Sequence, residues 1–271
     1  MALTPFQRAI CRLLADSRTA SGDSYVGGAA ALNEILGAPR LSRDVDLFHD
    51  TDAALDASWR EDRRLLEEHG LVVRPVRERP AFVEAEVQGT DDSVLLQWVR
   101  DSAYRFFPLI QHADLGLTLH PVDLATNKVL ALVGRLEVRD WIDVIECSER
   151  LQPLGYLAWA ACGKDPGFGP AGILEQAARG ARYSVDEVAA LSFEGPTPDA
   201  AALSRRWHSL RAEAAATVAV LPPEHAGTCV LDAAGRLFRG NAAAAADAAS
   251  RDDLRFHRGS IRGAWPTIVG K

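Results

Sequence analysis

Nowhere does the sequence hold an apolar run near the ~20 residues that a membrane-spanning helix needs, which excludes the common kind of integral membrane protein. Cysteine is scarce: four in 271 residues, at positions 11, 147, 162 and 229, with no C-x-x-C and no histidine at zinc spacing. That scatter excludes a disulfide framework and a zinc finger, and predicts reduced, buried thiols in a cytoplasmic protein. The opening "MALTPFQRAICRLLADSR" has no signal-peptide pattern. No internal repeat or low-complexity segment is present. Positive charge is also short. A net charge of −7 excludes a surface built for coating nucleic acid generally. The excess of acid lies in the first 150 residues, however, and residues 151–271 are nearly balanced, which leaves room for a local basic cluster.

What is there reads as a mixed α/β protein. Thr4 as N-cap, Pro5 at the first helical position and Gln7 as return partner predict an opening helix that ends at the polar turn "TASGDS". "SYVG" predicts a short strand (Ser24–Gly27), and "AAALNEIL" a helix stopped by Gly37 and Pro39. "DVDLF" alternates strictly, as a strand should, and an amphipathic helix through "DASWREDRRLLEEHG" follows it. "LVVRPV", "AFVEAEVQ" and "SVLLQWV" predict three strands, the last two a hairpin about Gly89–Asp92. From Leu124 the pattern is helical with little strand signal, through "LATNKVLALVGR", "VRDWIDVIECSERL", "PAGILEQAARGA" (170–181), "SVDEVAAL" and "AALSRRWHSLRAEAAATVAVL". The expected division is an α/β domain over 1–123 and a helical C-terminal domain over 124–271 that completes the active site, with the boundary inside "TLHPVDLAT".

Asp44 and Asp46 carry the first chemical signal. Two residues apart on a strand, their side chains leave the same face, roughly 6.6 Å apart along the backbone. Paired carboxylates at that spacing suit a divalent cation, and Mg²⁺ completes its shell with water and substrate phosphates. Gly27 and Gly28 run straight into a helix, so bare backbone N–H groups at a positive helix end make a phosphate seat. A tight turn needing positive φ also explains one glycine, though not both. Ser42 is placed either to donate to a phosphate or to cap the turn before the strand. In "NKVLALVGR", Lys128 and Arg135 share a helical face otherwise crowded by aliphatic residues. In "RDWIDVIE", Asp140 and Asp143 fall together at i, i+3 among Trp141, Ile142, Val144 and Ile145. Carboxylates so placed need a counter-charge, for which Arg139, Lys128 and a metal are the candidates.

Strand–GG–helix followed by S-x-D-x-D resembles the nucleotidyltransferase fold of the DNA polymerase β superfamily. Within it, the ordered blocks "GGAALNEIL", "PRLSRDVDLF", "ATNKVLALVGR" and "VRDWIDVIE" resemble the AbiEii/AbiGii (MenT-like) toxin family of bacterial nucleotidyltransferases. The resemblance implies a nucleotidyltransferase that moves a nucleoside monophosphate from an NTP to an acceptor with Mg²⁺ or Mn²⁺. The acceptor it suggests is RNA such as a tRNA 3′ end, and the cellular role a toxin with a partner antitoxin. It implies that Gly27, Gly28 and Ser42 hold the triphosphate, that Asp44 and Asp46 bind metal, that Lys128 meets phosphate, and that Asp140 or Asp143 assists at the acceptor or metal. Transfer to a protein or small molecule, and a non-catalytic nucleotide-binding module, are the competing readings.

One departure from the pattern stands out. The superfamily's third carboxylate usually follows on a later strand, where this chain has Gln97; Glu84, Glu86 and Asp101 lie near in sequence without matching the position. "GFGPAG" (Gly167–Gly172) has dinucleotide spacing but no preceding strand, which excludes that fingerprint. "SRRWHSLR" and the tail "RDDLRFHRGSIR" are basic with one aromatic each, suited to RNA but more simply a solvated helix face and a frayed terminus.

Overall fold

Helix α1 (Pro5–Ser21) starts where its sequence dictates: Gln7 N–H donates to the Thr4 hydroxyl oxygen, and the Gln7 side-chain oxygen accepts from Thr4 N–H. The computed structural model describes residues 3–179 and 183–267 and falls into two units, Met1–Ala103 with Leu109–His120, and Tyr104–Pro108 with Pro121–Lys271. Residues 180 and 181, assigned above to a helix end, lie outside the described residues.

After α1, the first unit continues through β1 (Ser24–Gly27), α2 (Gly28–Leu36), β2 (Asp44–His49), α3 (Asp52–Glu68), β3 (Val72–Arg79), β4 (Phe82–Gln88) and β5 (Ser93–Arg100). Beyond β6 (Tyr104–Arg105), which belongs to the second unit, come β7 (Ile110–His112) and β8 (Gly116–Thr118). They form one seven-stranded mixed sheet in the order β3-β4-β5-β2-β1-β8-β7, with β2 parallel to β5, β1 parallel to β8 and the other pairs antiparallel.

The alternation of β2 divides the sheet into two faces. Val45, Leu47 and His49 are buried on the side of α1 and α3; Asp44, Asp46 and Phe48 are half-buried on the other. Behind the sheet, Asp62 of α3 accepts from Trp98 Nε1 at 2.8 Å and Ser58 Oγ at 3.1 Å, and faces Arg18 of α1 at 3.5 Å.

His49 belongs to this buried group. Its Nδ1 faces the Val99 carbonyl oxygen at 3.3 Å, while its Nε2 is buried without a hydrogen bond. Burial first, and the nearby Arg18 cation second, lower its pKa from 6.5 to about 4. The unfolded chain therefore binds the extra proton between those values, and stability falls as pH drops from about 6.5 to 4. The expected loss is about 3 kcal/mol. Urea unfolding at pH 6.5 and 4.5 checks it: His49→Gln should be nearly level across the interval, and the same decline in the variant would assign it to other groups.

In the second unit, α4 (Pro121–Arg135), α5 (Val138–Arg150), α6 (Leu154–Ala161), α7 (Pro170–Arg179), α8 (Val185–Ala189) and α9 (Ala200–Val220) precede β9 (Thr228–Leu231), α10 (Ala242–Ser250), β10 (Arg255–Arg258) and β11 (Ser260–Ile261). Every residue of α6 is buried. A helix apolar on all sides has no amphipathic period to betray it, so the sequence pattern passes over it.

The expectation of few strands here is corrected. β9 pairs with β10 and β11 pairs with β6, both antiparallel, so the tail is ordered rather than frayed. Phe256 packs on the core around Tyr156 and Trp159 and stacks on His225 at 4.1 Å. Trp207 of the other basic stretch is fully buried and Arg206 is paired with Glu149, so neither stretch has a free aromatic with which to stack a base. Buried Asp123 of α4 holds the segment Tyr104–Pro108 in this unit: it accepts from the N–H groups of Phe106 and Phe107 at 2.8 and 3.1 Å and pairs with Lys164 at 2.8 Å.

The four cysteines are buried and free. Burial raises the Cys11 thiol to about 11 and lifts those of Cys147 and Cys229 well above the ordinary value, so these three are poor nucleophiles. No helix among the described residues is long and apolar enough to cross a membrane.

Candidate functional site

Antiparallel pairing of β1 with β2 sets Gly27 opposite Asp46, which brings the acid to the start of α2. Gly28 has φ +63°, and a Cβ there would lie 1.6 Å from Asp46 Oδ2. The carboxylate thus occupies the space a side chain would take. Gly27 has its own constraint, since a Cβ would lie 2.3 Å from the Phe48 ring. Both glycines are therefore explained locally, one by a positive φ beside a carboxylate and the other by close approach of a ring. What the arrangement creates is chemical. Gly27, at the N-cap, has no side chain with which to cap α2, and the positive end of that helix faces Asp46. The helix end offsets some of the repulsion between the two acids.

Asp44, two residues back on the same face, accepts from the Ser42 hydroxyl at 2.9 Å. The Ser42 hydroxyl thus orients a carboxylate of the pair. Gln7 in turn fixes Ser42. With its side-chain oxygen taken by Thr4 N–H, its nitrogen donates to the Ser42 carbonyl oxygen at 2.8 Å. The T-x-x-Q signature that starts α1 thereby also anchors the loop before β2, a second use that the motif does not announce.

Next to β2, β5 sets Gln97 beside Asp46, and β4 sets Glu84 beside Gln97, so the three stand in one row on one face. Gln97 Nε2 donates to Glu84 Oε1 at 2.9 Å. Glu86 and Asp44 occupy the neighbouring row on either side of Leu95.

Oxygen donors of this kind suit Mg²⁺ or Mn²⁺ held by one or two carboxylates and finished by water and phosphate. The missing side chain at Gly28 makes room for Asp46 itself, so one carboxylate of the pair sits at the positive end of α2. A closed all-protein metal cage does not fit: among the described residues, no group of three or more His, Cys, Asp or Glu gathers to hold a metal.

Lys128, Asp140 and Asp143 come together in the second unit. Lys128 Nζ lies 3.0 Å from Asp140 Oδ1 and 3.2 Å from Asp143 Oδ2, with both acids fully buried. Arg135 holds Asp140 by two bonds, Nε to Oδ2 at 2.5 Å and Nη2 to Oδ1 at 2.9 Å. Burial alone would raise the Asp140 pKa; the Arg135 fork and Lys128 outweigh it and hold the carboxyl below its ordinary value. Arg139, weighed above as a counter-charge, pairs instead with Glu137 at 2.6 Å. Two cations and two carboxylates thus balance within the cluster.

A mixed sheet that carries two carboxylates on a strand beside a glycine turn into a helix is a nucleotidyltransferase fold, and comparison with solved structures shows that fold. A provisionally assigned nucleotidyltransferase from H. pylori matches over 78% of this chain and 94% of its own, with a TM-score of 0.50 at 12% identity. MenT4, a nucleotidyltransferase toxin from Mycobacterium tuberculosis, matches over 76% of this chain and 80% of its own, with a TM-score of 0.49 at 17% identity. No family model matches the sequence, and no curated protein matches it significantly.

Proposed function

We propose that the chain is a cytoplasmic nucleotidyltransferase of the AbiEii/AbiGii kind. It moves a nucleoside monophosphate from an NTP to an RNA acceptor, such as a tRNA 3′ end, and acts as a toxin restrained by an antitoxin. The observation that carries the catalytic reading is the meeting of Asp46 with the start of α2, with Asp44 oriented by Ser42 two residues away. RNA, toxicity and the antitoxin rest on the four sequence blocks.

Asp44 and Asp46 would hold Mg²⁺ or Mn²⁺, which when bound supplies charge neutralisation on the phosphates. By the resemblance, Gly27, Gly28 and Ser42 would hold the triphosphate near the positive end of α2. Ser42 and Gln7 keep Asp44 and its loop from shifting, which matters where catalysis is mostly positioning. Lys128, Asp140 and Asp143 enter through the resemblance, Lys128 as a phosphate contact and an aspartate as an aid at the acceptor or metal.

The test is transfer of α-labelled NTP to fractionated RNA, protein and small molecules, with Asp44→Asn as control. Label in RNA with release of pyrophosphate is expected, and none with the variant. Label in protein or small molecules replaces the acceptor. Binding of NTP without pyrophosphate release favours the second reading, a non-catalytic nucleotide module, for which Gln97 in place of a carboxylate is the specific observation. For the toxin role, expression of the chain should slow bacterial growth and the Asp46→Asn chain should not; equal growth at matched protein levels removes toxicity alone.

A further inference from the structure

The row Asp46–Gln97–Glu84 crosses three adjacent strands on one face, with strands about 4.8 Å apart. Glu84 is only 9% exposed, and the bond it accepts comes from Gln97. The Glu84 oxygen accepts from the amide nitrogen of Gln97 at 2.9 Å, which leaves the amide oxygen of Gln97 outside that bond. Side chains stand roughly perpendicular to a sheet, and an amide carries its nitrogen and oxygen to opposite sides of that upright stem. Turning the nitrogen toward β4 therefore turns the carbonyl oxygen toward β2 and the Asp46 column. Glu84 thus decides which end of Gln97 faces the carboxylate pair.

Resting on the nucleotidyltransferase reading above, we propose that Gln97 presents a neutral carbonyl oxygen to the cation held by Asp44 and Asp46, and that Glu84 is the positioning residue that aims it. The site then keeps three oxygen-bearing side chains while carrying one negative charge fewer than a three-carboxylate site. Glu84 acts from the strand beyond the ligand, through the amide.

Mn²⁺ binding followed by electron paramagnetic resonance, with and without a non-hydrolysable nucleoside triphosphate, tests this independently of turnover. Gln97→Leu should weaken Mn²⁺ about 10-fold or more, and Glu84→Gln, which touches no cation, should weaken it by a similar factor, the size of effect seen when a ligand's supporting partner is removed. The exchanged pair, Glu84→Gln with Gln97→Glu, sets a carboxylate beside Asp46 with an amide donor behind it and should bind Mn²⁺ more tightly than wild type. That double variant keeps the hydrogen bond, so it also controls for folding, which circular dichroism checks in all. Wild-type Mn²⁺ affinity in Gln97→Leu, or an exchanged pair that binds no better, overturns the role of Gln97 while leaving the nucleotidyltransferase reading in place. Equal Mn²⁺ binding by wild type and Asp46→Asn would remove the cation site itself, and with it both proposals.

Discussion

Asp44→Asn and Asp46→Asn will each lower nucleotide transfer by roughly 10³-fold, about 4 kcal/mol of transition-state stabilisation, and leave the fold intact. The two effects separate because the same carboxylates are costly to the fold and useful to the chemistry. In the folded protein Asp44 is satisfied by one hydroxyl at 2.9 Å, and an asparagine oxygen accepts that bond equally well. Asp46 fits over Gly28, where an isosteric amide also fits. Removing one of two like charges on a strand face is favourable. Losing an anion at the start of α2 costs about 0.3–1 kcal/mol. These terms oppose each other, so stabilities from urea unfolding should stay within about 1 kcal/mol of wild type. Pyrophosphate release measured beside urea unfolding decides the matter. Transfer near the wild-type rate in either variant ends the catalytic reading, and a large fall in stability would make the pair structural.

Much of this arrangement was legible in the sequence, for reasons that differ from residue to residue. The capping box of α1, the strict alternation of "DVDLF" and the glycine turn each carry a local code, and the structure reproduces all three. The hairpin about Gly89–Asp92 was legible too, and its register settles more than the hairpin: pairing Gln88 with Ser93 fixes Glu84 against Gln97 by simple counting. Glu84 was therefore within reach, as the partner of Gln97 and not as its replacement. The pairing of β2 with β5 was not legible, since a parallel neighbour is set by packing between distant segments. Short β9, β10 and β11 escaped because "TCVL" carries no alternation and "RFHR" is too polar to look like a strand; partners far away in sequence supply what the local pattern lacks. The counter-charge of Asp140 is hidden for a related reason. Arg139 is adjacent in sequence, but Arg135, at the end of the preceding helix, has the approach for a two-bond fork.

Lys128→Ala is expected to cost the second unit about 3–5 kcal/mol, the range for removing one partner from a buried ion pair. The neighbours set that magnitude. Arg135 still neutralises Asp140 through its fork, but Asp143, fully buried, loses the cation 3.2 Å away. Such a change lowers the melting temperature by about 10 °C in a unit of this size. Turnover measured on that variant alone would mix a weakened fold with a lost phosphate contact. Replacing both charges separates them. Lys128→Met with Asp143→Leu removes the carboxylate along with its cation, and exchanging a buried pair for apolar side chains is often neutral or stabilising. Asp143→Asn alone supplies the turnover baseline for that aspartate. Lys128→Arg keeps Asp143 paired with a cation, so it should retain most of the stability. It should retain only some of the turnover, because a planar fork does not reproduce the point charge of an ammonium. Thermal unfolding and pyrophosphate release, measured on these four variants beside wild type, distinguish the outcomes. If Lys128 meets phosphate, the double variant regains the stability that Lys128→Ala loses while its turnover stays ~10²-fold below that of Asp143→Asn, as for other preorganised electrostatic groups. Recovery of stability and turnover together would make Lys128 a structural counter-ion for two buried aspartates.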